Sequence, residues 1–333
     1  MAIIRDMMPT FELFQPASVD ETMDLLDRYE DSWVLAGGLD SFEWFKERHL
    51  RPPTVIDVSG VDELKGIRDR DGGLEIGAMT TLTEIVTDET IRQRFGVLAT
   101  AAYAVATPQI RNQGTIAGNI SQDTRCWYYR GGWPCYRAGG NICYADTPTA
   151  MNREHCIFGS SRCVAVNPSD TAPALIVLDA KVVVRRGGSE TEYDAEDFFI
   201  GPSTDITRMT VLKPGDLVTA VRIPPDWADS AFYFEKARDR QSWDFPLVNV
   251  AAAIKVSGGT IQDIRLAANA VAPYPMRLSR VENQLRGQPV NQDVALAAGE
   301  VAIQGARPLR HNAYKVPLLR NLVMRAIRDA QVQ

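Results

Sequence analysis

The segment TPQIRNQGTIAGNISQ, residues 107–122, is the stretch of this 333-residue chain that says most about its fold. Its small and polar residues are Thr107, Gly114, Thr115, Gly118 and Asn119. Glycines let a backbone approach a ligand closely, and hydroxyl and amide groups orient that ligand by hydrogen bonding. The segment predicts a ligand lying along the backbone, and a polar loop without a ligand is the alternative.

A second glycine turn lies upstream, in the stretch VLAGGLDS at residues 34–41. A buried strand is expected to lead into it, and the stretch SFEWFKERHL after it predicts a helix. The N–H groups of Gly37 and Gly38 can form an anion-binding concavity, and Asp40 is placed to cap the helix. The turn lacks GxGxxG spacing and a repeating βαβ pattern, so a Rossmann domain fits poorly. Two such loops favour a dinucleotide ligand without identifying it, and an ordinary turn is the alternative.

All the cysteines of the chain fall within residues 126–163, a window that lacks helical or strand periodicity. They are Cys126, Cys135, Cys143, Cys156 and Cys163. Their odd number and the lack of a secretion signal argue against a disulfide framework, and their confinement favours a metal site. Zinc modules usually offer C-x2-C pairs, which are missing here, whereas a loop can wrap a four-thiolate iron–sulfur cluster without them. Five inert buried thiols are the alternative.

Composition excludes several classes of protein. Hydrophobic residues make up 45% of the chain and charged residues 23%, as in ordinary globular proteins, and the length suggests two or three compact units. A net charge of −6 argues against a nucleic-acid partner bound through a basic face. No run of 18 apolar residues occurs, so we expect no direct membrane span, and the N-terminal residues do not read as a signal peptide.

The order of predicted elements indicates an α+β fold. Short strands and helices alternate before the cysteine window, and a strand that ends in two prolines follows it. Two strands around the Gly258-Gly259 turn and three helices come after a predicted boundary near residues 225–231. We therefore expect two units, of which the second is a sheet backed by helices.

Six motifs, taken in chain order, resemble the flavin-binding medium subunits of the xanthine dehydrogenase and molybdenum hydroxylase family. They are AGGLD (36–40), PQIRNQGTIAGN (108–119), PSDTAPAL (168–175), KPGDLVTAVRIP (213–224), FEKARDRQSWDFPLVNVAA (234–252) and AVAPYPMR (270–277). The resemblance covers nearly the whole chain. It is strongest with a subset whose longer, cysteine-bearing loop binds a [4Fe–4S] cluster, as in flavin subunits of bacterial periplasmic aldehyde oxidoreductases and of 4-hydroxybenzoyl-CoA reductase.

The resemblance implies a two-part FAD-binding fold of the PCMH type, within the α+β class. Residues 1–228 would form the FAD-binding domain, with subdomains at about 1–60 and 61–228 and an iron–sulfur loop at 121–169. Residues 229–333 would form a C-terminal flavoprotein domain, a three-stranded antiparallel sheet with helices. The flavin would lie between the two domains.

The resemblance also implies which residues bind the two cofactors, FAD and the [4Fe–4S] cluster. Leu39 stands where the family has a hydroxyl-bearing residue, so we expect backbone contacts to dominate in the first loop. The implied FAD residues are Val34, Leu35, Ala36, Gly37, Gly38, Leu39, Asp40, Ser41, Thr107, Gly114, Thr115, Gly118, Asn119, Asp170 and Lys236. The implied cluster ligands are Cys126, Cys135, Cys143 and Cys163. Cys156 is predicted to be spare, with its use in place of Cys143 as the alternative.

By this resemblance the chain is the electron-transfer subunit of a heterotrimeric, molybdenum-dependent aldehyde oxidoreductase. A large subunit would carry the molybdenum cofactor, a small subunit two [2Fe–2S] clusters, and ferredoxin or another external partner would exchange electrons. No catalytic acid, base or nucleophile is expected in this chain. The alternatives are the corresponding subunit of a 4-hydroxybenzoyl-CoA reductase and a zinc-stapled interaction module without flavin. We expect a cytoplasmic location, or a periplasmic one through co-export with a signal-bearing partner subunit.

Overall fold

The computed structural model describes residues 8–331 as three sheets and their packed helices. The strands are β1 (Glu12–Phe14), β2 (Ser32–Leu35), β3 (Thr54–Asp57), β4 (Ile67–Arg70), β5 (Gly73–Gly77), β6 (Lys181–Arg186), β7 (Ser189–Asp194), β8 (Asp216–Ile223), β9 (Ala231–Ala237), β10 (Val248–Ser257), β11 (Thr260–Asn269) and β12 (Met276–Arg277). The helices are α1 (Val19–Arg28), α2 (Leu39–Lys46), α3 (Leu82–Thr87), α4 (Glu89–Arg94), α5 (Gly96–Tyr103), α6 (Pro108–Gln113), α7 (Ile116–Ser121), α8 (Trp127–Arg130), α9 (Ala172–Val177), α10 (Ala195–Phe198), α11 (Ser279–Leu285), α12 (Gln292–Ala302) and α13 (Lys315–Arg328).

The first sheet is small and parallel, with strand order β1-β3-β2. Parallel neighbours need a crossover, and α2 supplies one between β2 and β3, while α1 connects the two outer strands β1 and β2. Trp44 and Phe45 of α2 are buried against Leu35 and Val55, so the helix that follows the first glycine turn is anchored to this sheet. This packing fixes the turn at the carboxyl end of β2.

The second sheet is antiparallel, with strand order β4-β5-β8-β6-β7. One face is covered by helices whose apolar residues join the strands in the largest core of the molecule. Ile76 of β5, Leu98 of α5 and Phe198 of α10 are completely buried in it. The segment 107–122, which consists of α6, α7 and the residues that flank them, is thereby attached to this core.

The third sheet is antiparallel and four-stranded, with order β12-β11-β10-β9, so the prediction of three strands is wrong. The fourth strand, Met276–Arg277, pairs with Ala268 and Ala267 of β11. Two residues are too short to show strand periodicity, and Pro273 and Pro275 come just before them in the sequence. The guanidinium of Arg277 holds the strand in place through the buried carboxylate of Glu282, with its Nη2 2.9 Å from Oε2. The predicted α+β class and the backing helices α11–α13 are confirmed.

The cysteine window has little regular structure, as its lack of periodicity predicts. It contains the single-turn helix α8 and two 3-10 turns, Tyr136–Ala138 and Tyr144–Asp146. Its own apolar cluster is small and centres on Ala145, Cys156 and Val164. Within residues 8–331 the helices are all too short or too polar to cross a lipid bilayer.

Candidate functional site

The two glycine segments predicted to bind one ligand lie directly against each other. A methyl group at Gly37 would lie only 2.1 Å from the carbonyl oxygen of Gln113, so these backbones touch with no room for a side chain. A methyl group at Gly114 would lie 3.4 Å from Cδ1 of Leu39, which shows that the leucine packs where glycine leaves space. The arrangement leaves two backbone segments adjacent, as an extended ligand requires.

Gly38, and not Asp40, is the N-cap of helix α2. Gly38 has a φ of 77°, in the left-handed region that glycine adopts without strain, and the helix already begins at Leu39. Asp40 therefore lies in the first helical turn, where its carboxylate accepts hydrogen bonds from Nη1 and Nη2 of Arg130 at 2.9 and 3.3 Å. The predicted capping role of Asp40 is wrong, and the residue instead connects the first glycine turn to the cysteine window.

Arg130 makes two further contacts besides its pair with Asp40. Its guanidinium carbon lies 3.6 Å from the centre of the Trp44 ring, and its Nε donates to the backbone oxygen of Thr124. Stacking on an aromatic face and pairing with a carboxylate use different parts of the guanidinium, so they are compatible. The start of the cysteine window is thus fixed on helix α2.

Helix caps order the segment 107–122. The hydroxyl of Thr115 accepts a hydrogen bond from the backbone N–H of Gly118 at 3.1 Å and begins helix α7. The hydroxyl of Thr107 accepts from Ile110 at 3.5 Å, a longer contact, and begins α6. Both threonines that sequence analysis assigned to ligand binding therefore also hold the backbone in shape.

Asn119 lies at the centre of a buried polar cluster. Its Oδ1 accepts from the hydroxyls of Ser169 at 2.6 Å and Thr171 at 2.7 Å. These partners come from the PSDTAPAL motif, which is about fifty positions later in the chain. The fold therefore brings the second glycine segment and the motif that contains Asp170 together.

Asp170 and Lys236 form a buried ion pair between the two predicted domains. Nζ of Lys236 lies 2.6 Å from Oδ2 of Asp170, and Nδ2 of Asn249 donates to Oδ1 at 3.0 Å. Lys236 also donates to the backbone oxygens of Ala104 and Asp244. Burial raises the pKa of the Asp170 carboxyl above its ordinary value, and the Lys236 ammonium opposes that rise. The pair places an ammonium and a carboxylate at the boundary between the two predicted domains. This boundary, the seam, is where the flavin is expected.

Sequence analysis missed two asparagines of this seam, Asn249 and Asn269. They face each other across β10 and β11, are completely buried, and each retains an Oδ1 with no partner among the described residues. Nδ2 of Asn269 donates to the backbone oxygen of Ser169 at 2.6 Å. Each lies near one end of its strand but within an apolar stretch of sequence, where asparagine is unusual, and this is the signal that could have identified both.

A cavity lies between the cysteine window and the loop after β9. Its walls include Arg125, Cys126, His155, Asn167 and Phe245. Arg125 Nε, His155 Nδ1 and Asn167 Nδ2 are buried without a hydrogen-bond partner in the part of the chain that the structure describes. Buried nitrogens of this kind are costly unless a bound molecule or water satisfies them. The N–H groups of Arg125 and Asn167 therefore suit the cavity to a ligand that carries hydrogen-bond acceptors.

The four cysteines predicted as ligands, and not the fifth, line a second, narrow cavity. They are Cys126, Cys135, Cys143 and Cys163. Cys156 is 1% exposed and packs with Ala145 and Val164 instead. Among the five thiols of the window, the one predicted to be spare is the one that does not line this cavity.

The surroundings of these thiols disfavour their charged form. Burial raises the pKa of Cys126 to about 12, and burial also raises the pKa values of Cys143 and Cys163. The neighbouring thiols add to the rise because like charges repel. Backbone N–H groups of Tyr128 and Tyr129 reach the sulfur of Cys126 but do not offset its burial. A metal centre would deprotonate such thiols and neutralise their charge.

The thiols are not arranged around a single ion. Between residues 8 and 331 no three His, Cys, Asp or Glu side chains are close enough together to hold one metal ion. A compact zinc-type site is therefore not formed. An iron–sulfur cluster binds each thiolate to a separate iron atom, and such a cluster on these thiols stays a prediction.

Comparisons with known proteins agree with the fold. The model of the FAD binding domain in molybdopterin dehydrogenase matches residues 9–226, and that of the CO dehydrogenase flavoprotein C-terminal domain matches residues 232–330. The chain is 34% identical to the aldehyde oxidoreductase FAD-binding subunit PaoB of Escherichia coli (strain K12), over 90% of this chain and 91% of that protein. It is 28% identical to the carbon monoxide dehydrogenase medium chain of Hydrogenophaga pseudoflava, over 97% of each.

Solved structures show the same architecture. A chain of carbon monoxide dehydrogenase from Hydrogenophaga pseudoflava superposes with a TM-score of 0.78 at 27% identity, over 98% of this chain and 99% of that one. A chain of quinoline 2-oxidoreductase from Pseudomonas putida 86, at 23% identity and a TM-score of 0.77, shares the fold. Family membership argues against the alternative of a flavin-free module. The chain belongs to the family of FAD-binding medium subunits of the xanthine dehydrogenase and CO dehydrogenase type of oxidoreductase.

Proposed function

We propose that this chain is the FAD and [4Fe–4S] electron-transfer subunit of a molybdenum-dependent aldehyde oxidoreductase. The observation that carries the proposal is the convergence of four thiols on one cavity beside the flavin-binding seam. The aldehyde assignment is supported by 34% identity to an aldehyde oxidoreductase FAD-binding subunit over 90% of the chain.

The residues that would hold FAD divide into three groups. The adjacent backbones at Gly37, Gly38 and Gly114 would bind the pyrophosphate, because they bring N–H groups close without side chains. Asp170 and Lys236 would hold the polar middle of the cofactor at the seam. The partnerless Arg125 Nε and Asn167 Nδ2 would donate to the ring. Val34, Leu35, Ala36, Leu39 and Ser41 would support the first loop.

The residues that would hold the cluster are Cys126, Cys135, Cys143 and Cys163. Bound FAD can take up electrons in pairs and the cluster takes up one at a time, so together they would link two-electron and one-electron transfer. The protein's own contribution would be to bury the thiolates, to donate backbone N–H hydrogen bonds to them and to exclude water. Arg137, whose Nη2 is 2.6 Å from Oδ1 of Asp123, adds a buried positive charge to the same cavity wall.

The partners follow from the same assignment. A large subunit with the molybdenum cofactor and a small [2Fe–2S] subunit would complete the heterotrimer, and a medium chain among the relatives supports a multichain enzyme. Ferredoxin or another external carrier would exchange electrons with this chain. The complex would be cytoplasmic, or periplasmic after co-export with a signal-bearing partner.

Cofactor analysis of the purified complex tests the proposal directly. We expect FAD, iron and acid-labile sulfide in excess of the two [2Fe–2S] clusters, a reduced [4Fe–4S] signal in low-temperature electron paramagnetic resonance, and oxidation of aldehydes. Flavin without the additional iron would refute the cluster. Turnover of an aromatic acyl-CoA, with no aldehyde oxidation, would replace the assigned reaction with the reductase.

A further inference from the structure

One histidine is in contact with a predicted cluster ligand. Nε2 of His155 lies 3.3 Å from Sγ of Cys126, within hydrogen-bonding distance for sulfur. His155 is buried, at 3% exposed, and Cys126 is partly buried. We propose that His155 donates this hydrogen bond to the cluster-bound Cys126 thiolate and thereby raises the reduction potential of the cluster. The proposal rests on the proposed function, since it requires a cluster on Cys126.

The direction of the hydrogen bond follows from the chemistry of the sulfur. A free thiol can donate to Nε2, but a metal-bound thiolate has no proton and can only accept. Loading the cluster therefore requires the tautomer with its proton on Nε2. Nδ1 of His155 is buried without a partner in the described part of the chain, so no other residue imposes the opposite tautomer.

The C-terminal part of the chain holds the histidine in place. Nδ2 of Asn312 donates to the backbone oxygens of His155 and Cys156 at 2.9 and 3.0 Å. Nζ of Lys315 donates to the backbone oxygens of Glu154 and Ala270 at 2.9 and 2.7 Å. Both side chains are completely buried. They clamp the backbone on either side of the imidazole, and this limits the geometry of the contact with sulfur.

The position of the contact gives it a consequence for electron transfer. Among the five cysteines, Cys126 is the one that lines both the narrow thiol cavity and the cavity predicted to hold the flavin ring. His155 lines the second cavity too. A donor on this particular ligand stabilises the more negative, reduced cluster on the side nearest the flavin site. His155 is therefore a positioning residue that acts on the driving force between the two cofactors.

The test is a redox titration of the [4Fe–4S] signal in the purified complex. His155→Leu removes the donor and keeps the volume apolar, and His155→Gln restores an N–H at a similar distance from the backbone. We expect His155→Leu to lower the midpoint potential by about 59 mV, a tenfold change in the ratio of oxidised to reduced cluster for one electron. His155→Gln should recover most of that shift. His311→Leu, at an exposed histidine in the same region, should leave the potential unchanged.

The outcomes separate this inference from the function on which it rests. Wild-type protein that lacks the cluster contradicts the proposed function and removes the basis of the inference. An intact cluster whose potential is the same in wild type and His155→Leu overturns the inference alone. Loss of the cluster in both His155 variants also overturns it, because His155 would then be a structural support. Loss in His155→Leu with a wild-type potential in His155→Gln supports it, because the N–H is then the necessary feature.

Discussion

The glycine segments and the cysteine window lie side by side but are stabilised in different ways. The glycine segments rest on helices and strands that share the largest apolar core, in which residues such as Ile76 and Leu98 are completely buried. The cysteine window has only a small apolar cluster and is held by polar contacts to other parts of the chain, such as Arg130 to Asp40 and Asn312 to His155. The first region has enough buried apolar surface to order itself, whereas the second needs additional bonds. Four converging thiols are the means by which a metal centre would supply them.

Removing one thiol is the most severe test of this difference. Cys163→Ala should remove the [4Fe–4S] cluster entirely, because three thiolates leave one iron without its ligand, while FAD should stay bound by the first region. The iron that exceeds the [2Fe–2S] clusters, measured per FAD, should fall to near zero. Limited proteolysis should cut within residues 121–169 faster than in wild type, because the window loses its central bonds.

Cys156→Ala is the matched control for that variant. Cys156 is buried in the apolar cluster and does not line the thiol cavity, and a methyl group preserves its packing. Iron content and proteolysis should therefore match wild type. Loss of iron in this variant, with retention in Cys143→Ala, would instead establish the alternative ligand set in which Cys156 replaces Cys143.

A substitution in the first glycine turn should have the opposite result, with FAD lost and the cluster retained. Gly37→Ala places a methyl group against the backbone of Gln113, and neither backbone can move far without disturbing the packed helices. Overpacking of this kind costs about 1–3 kcal/mol, so FAD affinity should fall roughly tenfold or more while the additional iron is retained. Gly188→Ala, in an exposed hairpin with no atom within 4 Å of the new methyl group, should bind FAD as wild type does. Loss of iron together with FAD in Gly37→Ala would show that the two regions are not independent.

The sequence predicted those parts of the molecule whose signal is local. Glycine turns, threonine helix caps and closely spaced cysteines can each be recognised from a few neighbouring residues. The order of these motifs along the chain is what resembles the family. The thiol cavity with Cys156 outside it agrees with the ligand set that the resemblance implied. The identity of the cofactor-binding residues nevertheless stays a prediction until ligands are measured.

The features that sequence analysis missed depend on contacts between distant residues. Asp40 looked like a helix cap because its neighbourhood suits one, but the left-handed Gly38 starts the helix earlier and Arg130 takes the carboxylate. The short strand Met276–Arg277 is defined only by its partner β11. The contact between His155 and Cys126 joins residues 29 positions apart in a window without periodicity, so no pattern could have indicated it.

An effect on stability, and not on cofactor content, is expected at the seam between the two predicted domains. Lys236→Met removes the cation from Asp170, whose side chain is 4% exposed, and leaves a buried carboxylate with a single amide donor. Breaking a buried pair in this way costs about 3–5 kcal/mol in the free energy of unfolding. Chemical denaturation of the flavin-free protein should show the loss. The double variant Asp170→Leu/Lys236→Met removes both charges and should recover most of it, since apolar replacements of buried pairs are often nearly neutral. Equal loss in the single and double variants would mean that packing, and not the unpaired charge, is responsible.

The smallest expected loss of stability comes from removing either threonine cap of the second glycine segment, and the two caps should differ. Thr115→Ala should destabilise the protein by about 1 kcal/mol, because the N–H of Gly118 loses its acceptor. Thr107→Ala should cost less, because its contact with Ile110 is longer at 3.5 Å. FAD titrations at equal temperature should show the same order, with affinity weakened more by Thr115→Ala, since this cap holds the backbone next to Gly114 in its binding shape. If Thr107→Ala weakens FAD binding more while costing less stability, its hydroxyl contacts the cofactor directly, and the segment acts through side chains more than through its ordered backbone.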